Sequence, residues 1–124
     1  YTCFVESGTF LGQTVIPLAH RFREVHTIEI KPECFEAAKL FSWKAKAPIH
    51  FHLGATEEVL SSLVARLKRH TVFYLDAHFS GGISGGEDHE VPLLQELGVI
   101  AHNFFGHAGL VVIDDLGLFG KLHK

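Results

Sequence analysis

A short apolar run leads directly into a turn flanked by two glycines in residues 3–12, which read CFVESGTFLG. A buried strand is typically a short apolar run of this kind, and glycine permits the backbone conformations that a sharp turn requires. The residues after the turn place apolar side chains at the spacing of one helical face, at Val15, Leu18, Ala19 and Phe22. This stretch therefore predicts a strand, a turn and a helix over residues 13–22, the opening unit of an α/β fold.

The same alternation of apolar runs and amphipathic stretches continues along the chain. We predict further strands at residues 25–30, 49–53, 72–75 and 110–113, with helices that begin near Pro32, Thr56 and Pro92. Parallel strands joined by helices form a sheet that is covered on both faces, with right-handed connections. The predicted fold class is therefore α/β: one domain over residues 1–124, a Rossmann-like doubly wound sheet of five parallel strands in the order 3-2-1-4-5.

Composition excludes several classes of protein. Fourteen acidic residues against eleven Lys and Arg give the 124-residue chain a formal charge of −3, which argues against a general nucleic-acid or anionic-membrane surface. No apolar run approaches the ~20 residues that span a bilayer, and no signal segment opens the sequence. Two cysteines, Cys3 and Cys34, are too few for a disulfide scaffold and predict reduced thiols in a cytoplasmic protein. The absence of Met, even at position 1, predicts a processed or partial chain.

Glycine and acidic residues recur at the strand ends where open parallel sheets bind ligands. Gly8 and Gly12 flank the first turn, and Glu29 follows Gly8 by 21 residues (29 minus 8). In dinucleotide-binding folds an acid about 20 residues on binds the ribose hydroxyls. Phe10 stands where a pyrophosphate-binding turn needs its second glycine, so the pattern favours an adenosine-type ligand over NAD or FAD. The alternative is that both glycines only close the turn and that Glu29 is a solvated strand end.

The order of elements, the turn ESGTFLG at residues 6–12 and Glu29 resemble class I S-adenosylmethionine-dependent methyltransferases. The segment LDAHFSGG at residues 75–82 resembles one found in many uncharacterised bacterial methyltransferase-like proteins. The resemblance implies S-adenosylmethionine as the cofactor, with its ribose on Glu29. It also implies that the methionine part of the cofactor contacts Glu6, Gly8, Thr9 and Gly12. The adenine would contact Ala55 and Thr56. Many members carry an acid near the position of Ala55, and the family fold continues through C-terminal strands that are missing here.

Acidic residues also end the two strands that are neighbours at the other side of the predicted sheet. Asp76 follows the fourth strand, and Asp114 and Asp115 follow the fifth. Three carboxylates repel one another unless protons or a cation lie between them, and Mg²⁺ or Mn²⁺ prefers such oxygen ligands. The arrangement resembles metal-dependent O-methyltransferases of the catechol and macrocin types, which implies Asp76, Asp114 and Asp115 as metal ligands. His78, two residues beyond Asp76, would be the general base or a fourth ligand.

These residues carry a second, purely structural interpretation. One aspartate would cap a turn, another would pair with Lys or Arg, and His78 would hydrogen-bond the glycine-rich loop at residues 79–90. That loop lies beside Asp76 in the sequence, which favours a role in gating the substrate.

The leading functional hypothesis is O-methyl transfer to a hydroxyl of a small molecule or sugar, with Asp76 and His78 as the catalytic residues. A non-catalytic Rossmann-like module that binds a nucleotide or S-adenosylmethionine is the first alternative, and a metal-dependent hydrolase is the second. The fifth strand would leave an exposed edge, for which a second copy of the chain is a candidate cover.

One histidine motif lies outside this hypothesis. His50 and His52 would share one face of the third strand, which is a suitable geometry for metal ligands. Glu57, the nearest carboxylate in the motif, falls at a helix start, and the β-barrel in which such a motif functions is not predicted. We therefore expect His50 and His52 to pack or to face solvent.

Overall fold

Five parallel strands form one sheet in the computed structural model, which describes residues 2–67, 70–76, 90–103 and 109–114. The strands are β1 (Cys3–Ser7), β2 (Glu24–Glu29), β3 (His50–Leu53), β4 (Thr71–Asp76) and β5 (Gly109–Asp114). Their order across the sheet is β3-β2-β1-β4-β5, and every pairing is parallel. The predicted fold class and strand order are therefore confirmed.

Helices connect the strands, as the parallel pairing requires. They are α1 (Val15–Leu18), α2 (Pro32–Phe41), α3 (Thr56–Val64) and α4 (Glu90–Asn103), with short 3₁₀ turns at Ala19–Arg21 and Ser42–Lys44. Residues 13–22 were expected to form one helix, but the chain tightens into a 3₁₀ turn after Leu18. The backbone amides of Arg23 and Glu24 both bond the Thr2 carbonyl oxygen, at 2.9 and 3.2 Å. Phe22 is already extended, at φ −129° and ψ 153°, so the helical run ends before it and the chain enters β2 beside β1.

Alternation along β1 divides the interior into two layers, because successive side chains of a strand point to opposite faces. Cys3 and Val5 face α3 and α4, in a cluster with Ile28, Phe73, Leu75, Leu60, Leu63, Val64 and Ile100. Phe4 faces the other side, where it packs with Val15, Ile16, Ala19 and Val25. All five residues of β1 are buried, so the central strand anchors both layers.

The edges of the sheet are β3 and β5. β5 is last in the order of the described strands, as predicted, and its Leu110 and Val111 side chains are exposed. Its cover by a second copy of the chain stays a prediction.

Replacing Gly12 by alanine is expected to lower the free energy of unfolding by about 1 to 2 kcal/mol, since a left-handed backbone strains any residue with a Cβ. Gly12 adopts φ +81°, and an added Cβ would lie 2.7 Å from Ile16 Cδ1. The matched control is Gly98→Ala in α4, where an added Cβ meets nothing within 4 Å. That change should stabilise the chain by about 0.5 to 1 kcal/mol. Urea unfolding of the two variants measures both effects, and equal shifts of the same sign would contradict the turn geometry.

Candidate functional site

The turn after β1 is built from backbone hydrogen bonds and left-handed residues. Gly8, Phe10 and Gly12 adopt φ of 83°, 52° and 81°. The amides of Gly8 and Thr9 donate to the carbonyl oxygen of Ile28 at 2.8 and 3.1 Å, and the Gly12 amide donates to the Thr9 carbonyl at 2.8 Å. The turn is therefore pinned to the end of β2, at what we call the carboxyl edge of the sheet.

Glu29, the last residue of β2, lies directly beneath this turn. Its Oε1 accepts a hydrogen bond from the Phe10 amide at 2.6 Å, and its Oε2 accepts one from the Lys31 amide at 3.1 Å. Glu29 is 7% exposed, so it is not the solvated strand end that one interpretation of the sequence allowed. The structure thus brings Glu29 into contact with the turn at residues 8–12, as the spacing of Gly8 and Glu29 predicted.

A buried chain of hydroxyl groups supports the same turn from below. The Thr27 hydroxyl donates to Glu6 Oε1 at 2.7 Å, and its oxygen lies 2.6 Å from the Thr9 hydroxyl. Because the Thr27 proton points to Glu6, Thr9 is the donor to Thr27. Glu6 and Thr9 therefore make internal contacts, and their predicted contacts with a cofactor stay predictions.

Thr27 was missed in the sequence because threonine is an ordinary strand residue. A polar residue inside a strand that is buried on both faces was the available signal. Glu96 of α4 was missed in the same way, although it lies on the helical stripe of Leu97 and Ile100. Glu96 is buried, and the Ser7 hydroxyl lies 3.4 Å from its Oε1 on the face opposite Thr27.

The end of β3 lies beside Glu29, where the amide of Gly54 donates to the Glu29 backbone oxygen at 2.9 Å. Ala55 and Thr56 follow and are half-buried. Ala55 is the N-cap of α3, with no side-chain cap bond, and its carbonyl oxygen accepts from the amides of Glu58 and Val59. The structure therefore places Ala55 and Thr56 at the strand end beside Glu29, and the predicted contacts of all three with a cofactor stay predictions.

Asp76 and Asp114 end β4 and β5 and are Cα partners in the register of the two strands. The predicted juxtaposition of these two positions is therefore present in the backbone. The side chains of both aspartates, together with His78, Asp115 and residues 79–89 of the loop, lie outside the part of the chain that the structure describes. Their predicted roles as metal ligands and catalytic groups stay predictions.

A second polar group of side chains lies at the opposite end, which we call the amino edge of the sheet. His26 Nε2 is 2.6 Å from Glu24 Oε2, and His26 Nδ1 is 2.9 Å from His52 Nε2. The exposed ring of His50 stacks on His26, with ring centroids 4.8 Å apart. The expectation that His50 and His52 pack or face solvent is therefore correct but incomplete, because His52 is also hydrogen-bonded across the strands.

The buried imidazole of His26 and the half-buried imidazole of His52 both have a lowered pKa. Burial lowers the pKa of His26 below the ordinary histidine value, although the Glu24 carboxylate acts in the opposite direction. Burial also lowers the pKa of His52, helped by the positive charge that His26 carries when protonated. Both shifts favour the neutral imidazole, which keeps a nitrogen lone pair.

Comparison with known proteins adds no family to these observations. No family model matches the chain, and no curated protein matches it in sequence. Among the described residues, no helix combines the length and the apolar character that crossing a membrane requires.

Proposed function

We propose that the chain is an S-adenosylmethionine-dependent methyltransferase domain that transfers a methyl group to a hydroxyl of a small molecule or sugar. The observation that carries this proposal is the position of Glu29, held under the left-handed turn of β1 in a 3-2-1-4-5 sheet. In such sheets the carboxyl ends of the central strands are the usual ligand position.

Glu29 has the hydrogen-bonding capacity that a ribose requires. An ionised carboxylate offers about four lone-pair sites, and the Phe10 and Lys31 amides use one on each oxygen. The remaining sites can accept the 2′ and 3′ hydroxyl groups of an adenosyl ligand. A third amide, that of Gly54, bonds the Glu29 backbone and holds the end of β3 alongside.

The charge at this edge also suits the cofactor. S-adenosylmethionine carries a sulfonium cation, and the carboxylates of Glu6 and Glu29 both lie at the ends of adjacent strands next to the turn. The attraction between unlike charges is strengthened where water is excluded. The turn therefore combines glycines that allow close approach with acids that favour a cationic ligand.

Acceptor activation is assigned to the ends of β4 and β5. The register that pairs Asp76 with Asp114 fits the oxygen-rich ligand set of Mg²⁺ or Mn²⁺, with Asp115 as the further ligand. A divalent ion bound there would lower the pKa of the acceptor hydroxyl and orient its oxygen. His78 would take the proton of that hydroxyl, as a general base placed two residues beyond Asp76.

One observation favours a second candidate, a module that binds the cofactor without catalysis. Ala55, which the resemblance assigns to the adenine, has no side-chain acceptor for an exocyclic amino group. Binding of the cofactor without methyl transfer to any hydroxyl acceptor, in the presence of Mg²⁺ or Mn²⁺, would support this second candidate.

Calorimetry with S-adenosylhomocysteine tests the proposal. Wild-type chain is expected to bind it, and Glu29→Ala should weaken the affinity roughly tenfold, the loss of one charge-assisted hydrogen-bonded pair. Glu29→Gln, which keeps one acceptor for the Phe10 amide, should bind with intermediate affinity. Glu33→Ala, on the exposed side of α2, is the matched control and should leave the affinity unchanged.

Two outcomes would contradict the proposal. Wild-type chain that binds no S-adenosylhomocysteine, with or without Mg²⁺ or Mn²⁺, would exclude the methyltransferase function. Binding that is equal in wild type and Glu29→Ala would exclude the assignment of the ribose to Glu29. A separate calorimetric titration with Mn²⁺ tests the metal ligands. Asp76→Asn should bind Mn²⁺ more weakly than wild type, because it lacks one carboxylate.

A further inference from the structure

We propose that the amino edge of the sheet binds a zinc-class divalent ion through Cys3, Glu24 and His26. One ligand atom of each residue, a sulfur, a carboxylate oxygen and an imidazole nitrogen, lies within 4.8 Å of the other two. We call these three residues the amino-edge cluster. It lies at the starts of β1 and β2, at the end of the sheet opposite the carboxyl edge, and shares no residue with the proposed methyl-transfer site.

The backbone register brings the three side chains together. Cys3 and Glu24 are Cα partners in the parallel pairing of β1 with β2. Glu24 and His26 are two residues apart on one strand and therefore share a face. The cluster is thus built on paired strands, and rigid elements hold metal ligands more accurately than loops do.

The distances require only a small side-chain adjustment. Tetrahedral zinc holds sulfur at about 2.3 Å and nitrogen or oxygen at about 2.1 Å, so its ligand atoms lie about 3.4 to 3.6 Å apart. The separation of His26 Nε2 and Glu24 Oε2 would widen from 2.6 Å, while the thiol would move closer. The Glu24 side chain is 41% exposed, so an ion can reach its carboxylate from solvent.

A second histidine orients the first. His26 Nδ1 is 2.9 Å from His52 Nε2, on the side of the ring away from Glu24. A metal-bound histidine almost always donates its other N–H to a fixed partner, and His52 occupies that position. In the ion-free chain His26 Nε2–H donates to Glu24 Oε2. An ion would displace that proton from Nε2, and His26 Nδ1–H would then donate to His52 Nε2.

The donor set selects the kind of ion. Thiolate and imidazole ligands favour Zn²⁺ and its chemical relatives over Mg²⁺ and Ca²⁺, which prefer oxygen. The two anionic ligands, thiolate and carboxylate, would balance the charge of a divalent cation. The exposed side of Glu24 leaves a route for the ion and a place for water as the fourth ligand, the pattern of an open zinc site.

Cobalt substitution on the full chain tests the site directly. One Co²⁺ per wild-type chain should give the intense visible bands of a tetrahedral complex and a sulfur-to-cobalt charge-transfer absorption. Cys3→Ser should lose the charge-transfer absorption. Cys34→Ser, which changes the other thiol, on α2, is the matched control and should keep it.

Zinc affinity, measured by competition with a chromophoric chelator, extends the test to the other ligands. Glu24→Gln should weaken binding at least tenfold, and Glu33→Gln should not. His52→Ala should weaken binding about tenfold to a hundredfold, as loss of a residue that orients a ligand does. Excess Mg²⁺ should leave the bound Co²⁺ in place.

Either of two results would overturn the proposal. The first is no binding of Co²⁺ or Zn²⁺ by the folded wild-type chain. The second is a zinc affinity in Glu24→Gln equal to that of wild type, and this variant remains decisive if Cys3→Ser does not fold, because Glu24 is partly exposed.

Discussion

Phe73→Ala is expected to lower the free energy of unfolding by about 3 to 5 kcal/mol, the range for emptying the volume of a buried aromatic ring. Phe73 is 1% exposed and lies on β4, in the layer that packs under α3 and α4. Domains of this size have total stabilities of about 5 to 15 kcal/mol. Urea unfolding followed by circular dichroism should therefore show a large shift of the midpoint to lower urea.

Phe41→Ala is the control for that prediction, since it removes the same ring from the end of α2. Phe41 is 43% exposed, and the Lys44 ammonium lies 5.3 Å from its ring centroid. Truncation of an exposed side chain with one cation–π contact should cost less than about 1 kcal/mol. Similar losses in the two variants would show that the Phe73 ring is not packed in the core.

Thr27→Val is expected to cost about 2 to 3 kcal/mol, because it removes a hydrogen bond to a buried carboxylate. Valine keeps the shape of threonine and deletes the hydroxyl that bridges Glu6 and Thr9. Thr27 is fully buried, so water does not replace the lost donor without rearrangement. The affinity for S-adenosylhomocysteine should fall as well, since the turn above loses its support.

Thr9→Val is the comparison variant, because it removes only the hydrogen bond between the Thr9 and Thr27 hydroxyl groups, which involves no charged group. It should cost about 1 kcal/mol, and the double variant should cost less than the sum of the two single variants. A loss of less than about 0.5 kcal/mol in Thr27→Val would show that the hydroxyl chain does not hold the turn.

The sheet could be predicted from the sequence because its signals are local. Apolar runs at Phe4 and Val5, Val25, Val72 and Val112 alternate with amphipathic stretches, and strand–helix alternation leaves a parallel sheet as the consistent solution. Helix bounds were less predictable. α4 begins at Glu90, two residues before Pro92, because proline is tolerated throughout the first turn of a helix.

The start of α3 shows a related limit. Thr56 has the side chain of a good N-cap, yet the cap is Ala55 and Thr56 is the first helical residue. A threonine at the N-cap stabilises a helix by about 1 kcal/mol. The path of the chain from β3 nevertheless puts Ala55 at the N-cap of α3.

The residues of the carboxyl edge were predicted only in part, because only some of them are related by local spacing along the sequence. Gly8, Gly12 and Glu29 have a spacing that reports a strand–helix–strand unit, so they could be paired in advance. Thr27 and Glu96 act through contacts between elements, and no spacing along the chain reports those.

The amino-edge cluster illustrates the limit most clearly. Cys3 is 21 residues from Glu24 in sequence (24 minus 3), and the two meet only through the register of β1 with β2. His26 and His52 meet through the adjacent pairing of β2 with β3. The pair His50 and His52 was visible in the sequence. Their partner His26 lies on the neighbouring strand β2, and the periodicity of the sequence does not define how two strands are aligned.

Under the proposed function Glu29 has two tasks, because it would bind a ribose and it already accepts a hydrogen bond from the Phe10 amide. Phe10 sits in a left-handed conformation that costs a non-glycine residue about 1 kcal/mol or more, and the Glu29 carboxylate holds its amide there. A ribose bound as proposed would share this carboxylate with the Phe10 amide, so its binding would be linked to the order of Phe10. Ligand occupancy and turn order then form one thermodynamic cycle, so each must change the other by the same free energy.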